Sequence, residues 1–314
     1  MNPYVFLVGC SRSGTTLLRR MVHAHPQIAI TPETHWIVKT FNLRRGLTPE
    51  GHVTPALLEQ LGQDERFTRL EPDVAELERL IADPAPVHYS RFVSAVFDAF
   101  GRAHGKPLVG DKTPGYSLGI PTLAELWPEA RVVHIVRDGR DVCLSAMNWT
   151  RKLPSLESRY PTWRSEPAIT AALWWDWHAR AAHEDGRELG DHRFHELRYE
   201  ELVAKPESTC SALCDFLGVH YDAAMLRFHE GRTKSKPGLS AKKAWLPVTP
   251  GLRDWRTELP EADLAGFEAA AGPLLEGLGY ERAFDVLPDS AQERAAAVRE
   301  AIGDRLGEAA RAAR

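Results

Sequence analysis

Short runs of consecutive apolar residues recur along the chain at Tyr4-Val5-Phe6-Leu7-Val8, Gln27-Ile28-Ala29-Ile30, Pro107-Leu108-Val109-Gly110 and Arg131-Val132-Val133-His134-Ile135-Val136. Each is too short for a helix and places apolar side chains on both parities, the pattern of a strand covered on both faces in a parallel sheet. Arg193 to Tyr199 predicts a further strand. Between the runs the apolar spacing changes to i, i+3, i+4 and predicts helices over Leu17 to Val22, Asp73 to Ile81, Arg91 to Phe97, Val142 to Met147 and Ala168 to Arg187. Thr54-Pro55 supplies an N-cap with proline at the first helical position. A helix from Glu200 through Leu217 is stopped by Gly218. Strands alternating with helices define an α/β chain whose central parallel sheet is flanked by helices.

Three stretches depart from the alternation. Residues 40–105 are helical in character and read as an insertion that covers one side of the sheet and shapes an acceptor pocket. Residues 231–252 are irregular and Pro/Gly-punctuated, with Arg232, Lys234, Lys236, Lys242 and Lys243. A loop of that length is commonly functional, and its charge suits a flap over an anion. Residues 286–314 form a helical tail rich in Ala, Arg and Glu with no partner expected in the core, for dimer contacts or simple exposure. Aromatic residues crowd the stretch from Trp149 to Trp177. Trp174 and Trp177 are expected to face the core, whereas Trp149, Tyr160 and Trp163 fall in a Pro-interrupted loop suited to a lid or acceptor wall.

With 314 residues and 43% hydrophobic content, the chain can bury one large α/β core or two small ones. The net charge of −4 gives no global electrostatic basis for nucleic-acid binding. Cys10, Cys143, Cys210 and Cys214 lie in apolar segments without metal-ligand neighbours, as expected of core thiols in a reducing compartment. No metal constellation is expected. No apolar stretch reaches membrane-spanning length, and with the core strand at the start no leader and a cytoplasmic protein are expected.

The chemistry gathers at strand ends. After the first run the chain passes through Gly9-Cys10-Ser11-Arg12-Ser13-Gly14-Thr15-Thr16 into helical spacing. Strand, small-residue turn and helix together aim backbone N–H groups at an anion. Ser13, Thr15 and Thr16 add hydroxyls and Arg12 adds a cation. The nucleoside triphosphatase loop ends in Gly-Lys-Ser/Thr, but Gly14 is followed by Thr15-Thr16 with no lysine. Glu33 follows the second strand, as a ligand-facing carboxylate or a helix first-turn acid. Lys112 follows the third strand. Arg137 leaves the fourth, with Ser145 eight residues on, placed to converge on one phosphate. Asp138 and Asp141 read as caps of the helix after it.

Arg12 to Thr16, Val136 to Asp141 with Ser145, Leu197 to Leu202, and Gly251-Leu252-Arg253-Asp254-Trp255 occur in the order found in the sulfotransferases that use 3′-phosphoadenosine-5′-phosphosulfate (PAPS). The resemblance covers about Tyr4 to Glu281 and is nearest the tyrosylprotein branch and its soluble bacterial relatives, which share His25-Pro26 and Glu33-Thr34. It implies a P-loop-like sheet in a single domain. Arg12, Ser13, Gly14, Thr15 and Thr16 would hold the 5′-phosphosulfate, Arg137 and Ser145 the 3′-phosphate, and Tyr199 would lie near the nucleotide. Glu33 matches the general base, Lys112 the lysine at the leaving oxygen, and Ser240 a hydroxyl that assists at the sulfonyl group. The product nucleotide would be 3′,5′-diphosphoadenosine (PAP). His35 stands where the tyrosylprotein branch has arginine, which makes it a second base candidate, and no lysine precedes Pro247.

Sulfuryl transfer, like phosphoryl transfer, is carried chiefly by positioning and charge stabilisation. Arg12 and Lys112 are cations for the leaving oxygen and Glu33 is a base for the hydroxyl, without a metal. On this resemblance the acceptor would be a hydroxyl of a small molecule, a glycan or a peptide tyrosine, and the aromatic loop points toward an aromatic or hydrophobic one. Two other readings fit parts of the pattern: a P-loop small-molecule kinase, and a non-catalytic nucleotide- or partner-binding module.

Overall fold

The structure is a computed structural model that describes residues 3–150, 159–230, 248–249 and 253–313. Strands β1 (Val5–Val8), β2 (Ile28–Thr31), β3 (Leu108–Lys112), β4 (Arg131–Val136) and β5 (Phe194–Arg198) form one sheet in the order β2-β3-β1-β4-β5. Every pairing is parallel. All five C-terminal ends therefore open on one edge, and the α/β reading holds. Val5 and Leu7 point into one apolar cluster while Phe6 and Val8 point into another. Two buried faces are what a strand with no polar parity requires.

Helix α1 (Thr15–Ala24) covers one face of the sheet. Helices α2 (Trp36–Asn42), α3 (Pro55–Gly62), α4 (Glu65–Thr68), α5 (Val74–Ile81), α6 (Tyr89–His104) and α7 (Ile120–Leu126) pack over the other. A third cluster is built from α8 (Gly139–Thr150), α9 (Pro167–Arg187) and the C-terminal helices. Among the described residues no helix is long and apolar enough to cross a membrane.

Several expectations are corrected. The helix read from Glu200 to Leu217 is two, α10 (Tyr199–Ala204) and α11 (Pro206–Leu217). Pro206 forces Lys205 out of the helical region, to φ −134° and ψ 60°. On α9 the fully buried ring is Trp175, beside Trp174, while Trp177 is half-buried. Trp175 takes that place because its ring packs against Phe267 and its Nε1–H donates to the Arg137 carbonyl at 3.2 Å. Tyr160 and Trp163 are core residues and not an acceptor wall, and the side chain of Trp149 lies outside those described.

The tail does have a core partner. After α12 (Trp255–Glu258) and α13 (Glu261–Gly277), helix α14 (Asp289–Ala313) buries Ala291, Ala295, Val298 and Ile302 in the third cluster. Its stripe is mostly alanine, which packs closely against neighbouring helices while carrying little hydrophobic signal. Arg294 adds an ion pair to Glu166 at 2.6 Å. Beneath this layer, buried Arg140 pairs with Asp138 and with Glu268, each at 2.8 Å, and Arg282 pairs with Glu268 at 2.9 Å.

Candidate active site

The loop between β1 and α1 is conformationally demanding. Arg12 has φ 79°, a left-handed conformation that costs a residue with a β-carbon. Gly14 has φ 96°, and a β-carbon there would fall 2.3 Å from the Tyr199 ring. Only glycine meets both demands. No side chain caps α1, so its first-turn N–H groups are presented at the loop, where an anion is favoured. Ser13 and Thr15 are buried and Thr16 half-buried.

Two further elements close on this loop. Arg12 Nε donates to Ser145 Oγ of α8 at 3.0 Å. The guanidinium of Arg137, at the end of β4, lies 4.3 Å from the centroid of the Tyr199 ring, which in turn packs on Gly14. Arg137 Nη2 donates to Asp141 Oδ2 at 3.0 Å, while Arg137 Nε is buried without an acceptor among the described residues. Arg253 completes the group. Burial and the charges of Arg253 and Arg137 lower the pKa of Arg12, and burial and Arg137 lower that of Arg253. Mutually repelling, partly desolvated guanidinium groups are an arrangement that an anion relieves.

Asp138 keeps its capping role, accepting from the Arg140 N–H at 3.0 Å. Asp141 does not cap. Its Oδ1 accepts from the backbone N–H of Trp255 at 3.1 Å while Oδ2 holds Arg137. Asp141 thus fixes the segment carrying Arg253 against the one carrying Arg137.

The third group lies at the ends of β2 and β3. Thr31 and Asp111 are register partners, and Thr31 Oγ1 donates to Asp111 Oδ2 at 2.8 Å. Beyond them the Thr34 N–H donates to Thr113 Oγ1 at 2.9 Å, and Tyr116 Oη accepts from the Ile37 N–H at 3.0 Å. These bonds hold Glu33 outside the first turn of α2, beside buried Lys112, whose Nζ donates to Glu33 Oε1. His35 Nε2 lies 3.0 Å from Glu33 Oε2, and His35 has φ 57°. Burial works to raise the Glu33 pKa, but the His35 hydrogen bond and Lys112 outweigh it and hold the carboxyl at about 2. Burial pushes the Lys112 ammonium down, against the pull of Glu33. Glu33, Lys112 and Thr16 share a cleft of about 670 Å³ with Pro32, Gln63, Asp64 and several arginines.

The structure thus brings Arg12, Ser13, Gly14, Thr15, Thr16, Arg137, Ser145 and Tyr199 together on one side, with Glu33 and Lys112 adjoining. Ser240, the flap over 231–252 apart from Val248 and Thr249, and the position before Pro247 lie outside the described residues. Sequence reading missed Arg253 and the linking role of Asp141. Arg253 stood inside a recognised motif, Gly251 to Trp255, which was its only signal. Nothing in local spacing couples Asp141 to Trp255.

A strand–loop–helix at the open edge of a parallel sheet, beside a paired carboxylate and lysine, is an arrangement suited to holding an anion next to a proton acceptor, as a group-transfer enzyme requires. Residues 3–223 match the family model described as "Sulfotransferase family", and the chain belongs to that family. It is 27% identical over 288 residues to protein-tyrosine sulfotransferase 2 of Gallus gallus, covering 89% of this chain and 70% of that protein. It is 28% identical over 303 residues to the nodulation protein NoeE of Sinorhizobium fredii, covering 91% and 68%. Among solved structures, the sulfotransferase domain of the Synechococcus PCC 7002 olefin synthase superposes with a TM-score of 0.59 at 23% identity, covering 89% of this chain and 95% of that one. That likeness concerns the fold.

Proposed function

We propose that this sulfotransferase takes its sulfuryl group from PAPS and delivers it in line to an acceptor hydroxyl, with Glu33 as base and Lys112 and Arg12 at the leaving oxygen. The observation that carries the reading is the convergence of Arg12, Arg137 and Arg253 on the loop, with Arg137 Nε buried and lacking an acceptor among the described residues. A buried cation with an unsatisfied N–H calls for an anionic oxygen. The loop and the Arg137–Ser145 side supply two anion sites, which suits a nucleotide phosphorylated at both ends. PAPS would supply an activated sulfuryl group joined to a good phosphate leaving group.

The residues divide the work. The loop N–H groups with Ser13, Thr15 and Thr16 would hold the 5′ end, and Arg137, Ser145 and Arg253 the 3′-phosphate, with Tyr199 as a packing surface. Ser240 would assist at the sulfonyl group. Lys112 is bonded to Glu33, and a leaving oxygen would compete for its ammonium. Withdrawal of Lys112 removes part of what holds the Glu33 pKa down, so the carboxylate becomes a better proton acceptor when transfer needs one.

The kinase reading lacks the lysine its loop would need. The test is isothermal titration of the protein with PAP and with ADP, followed by PAP release from PAPS in the presence of hydroxyl acceptors. Tight PAP binding with weak ADP binding and acceptor-dependent release is expected. Preference for ADP with magnesium would return the kinase reading.

A further inference from the structure

The cleft beside Glu33 has a lining unlike the one its acceptor was expected to meet. Among its described residues only Pro32 is apolar, and no aromatic ring is present. Arg66 and Arg69 line it from the far side, Arg66 on the short helix α4 and Arg69 at its C-cap, just past the last helical residue. Both are exposed, and neither forms an ion pair with any described residue.

Three acids line the cleft, Glu33, Asp64 and exposed Glu65, against five cations, Arg19, Arg20, Arg66, Arg69 and Lys112. Asp64 is the N-cap of α4, its Oδ1 accepting from the Arg66 backbone N–H at 2.7 Å. Glu33 is committed to Lys112 and His35. Arg19 is also committed, its Nε donating to the Thr31 carbonyl at 2.9 Å, so it braces the strand end, and Arg20 is buried, which leaves Arg66 and Arg69 as the exposed arginines of the cleft. The helix is anchored between the arginines by buried Phe67, whose ring meets Trp36 edge-on at 5.6 Å. Trp36 opens α2, three residues after Glu33. Two like charges three residues apart repel, and here they are held on either side of a fixed core contact at a set place relative to the carboxylate.

We propose that this cleft receives an acidic saccharide as acceptor, its carboxylate or phosphate held by Arg66 and Arg69 while one of its hydroxyls faces Glu33. The proposal rests on the sulfotransferase reading above. Guanidinium pairs suit carboxylate and phosphate oxygens, and Gln63 offers a polar partner of the kind sugar hydroxyls need, whereas a phenol would require an apolar wall. In the transfer, the acceptor oxygen forms the new S–O bond as the bond from sulfur to the 5′-phosphate oxygen breaks. The acceptor proton passes to Glu33, and the electron pair of the broken bond stays on the departing PAP.

The test uses the full chain saturated with PAPS and three acceptor pairs: methyl glucuronide against methyl glucoside, glucose 6-phosphate against glucose, and an acidic against a neutral tyrosine peptide. PAP release should give kcat/KM roughly 10-fold or more higher for the acidic member of at least one saccharide pair, the scale of charged hydrogen bonds. The two saccharide pairs tell a carboxylate from a phosphate. The double variant Arg66→Ala/Arg69→Ala should bring that ratio toward one, and Arg66→Glu/Arg69→Glu should invert it, with the KM for PAPS and the melting temperature unchanged. Turnover of the peptides alone, equal use of acidic and neutral sugars, no release with any acidic sugar, or a ratio indifferent to the variants would overturn the proposal. Failure to bind PAP would instead condemn the reading beneath it.

Discussion

Arg12 and Ser145, 133 positions apart in sequence, meet through a 3.0 Å hydrogen bond that joins the β1–α1 loop to the helix following β4. The bond ties together two sides that local spacing presented as separate. Ser145→Ala should weaken PAP binding about 10-fold, the value of one hydrogen bond to a charged group. Adenosine 5′-phosphosulfate, which lacks the 3′-phosphate, should lose much less. Calorimetric titration with both nucleotides checks this, and an equal loss for the two would remove Ser145 from the 3′ side.

Gly14 combines a left-handed backbone with contact to Tyr199. Gly14→Ala adds a strain of about 1–3 kcal/mol at positive φ and displaces the ring that carries Arg137. Urea denaturation should show a loss of that size, and PAP binding should fall with it. A variant with wild-type stability and affinity would mean that the loop relaxes freely.

Glu33→Ala should leave PAP affinity within a few-fold of wild type and lower turnover by about 10²–10⁴. Lys112→Ala lets the Glu33 pKa rise from about 2, because burial is then opposed only by His35. The acidic limb of the rate profile should move to higher pH in that variant. A pH–rate series on both proteins decides it, since an unmoved limb would detach the limb from Glu33.

Acid stability should depend on a group away from the cleft. Glu196 on β5 is bonded to His134 at 2.9 Å and to His183 at 3.0 Å. Burial tends to raise its pKa, but these hydrogen bonds and charges prevail and bring it to about 2. With the folded value below the unfolded one of about 4.3, the stabilisation is complete above that pH and is lost as pH falls toward 2. Glu196→Gln should remove on the order of 1–2 kcal/mol of the difference between pH 6 and pH 3 in urea unfolding. An unchanged difference would locate the acid sensitivity elsewhere.

The sheet was legible because β1, β2 and β4 are largely apolar on both parities, a pattern that few alternatives satisfy over four to six residues. The phosphate-facing loop was legible for a related reason, since Gly14 and the hydroxyls around it are chosen by backbone geometry within a few positions. What escaped were relations between distant segments. Trp175 is buried through contacts with Phe267 and the Arg137 carbonyl, which helical periodicity does not contain. The α14 stripe of Ala291, Ala295, Val298 and Ile302 is visible once a partner surface is known, because alanine is neutral to most hydropathy patterns. The aromatic loop misled for the opposite reason, as Tyr160 and Trp163 are spent on the core. Ser240, matched only by resemblance, lies outside the described residues.

The bond between Lys112 and Glu33 has a consequence for the sequence of events. On the proposed reading, each partner silences the other, so a hydroxyl that arrives first finds a carboxylate already engaged. Kinetic analysis should accordingly show compulsory entry, nucleotide before acceptor, with wasteful deprotonation suppressed by the same contact that later supplies the leaving-group cation.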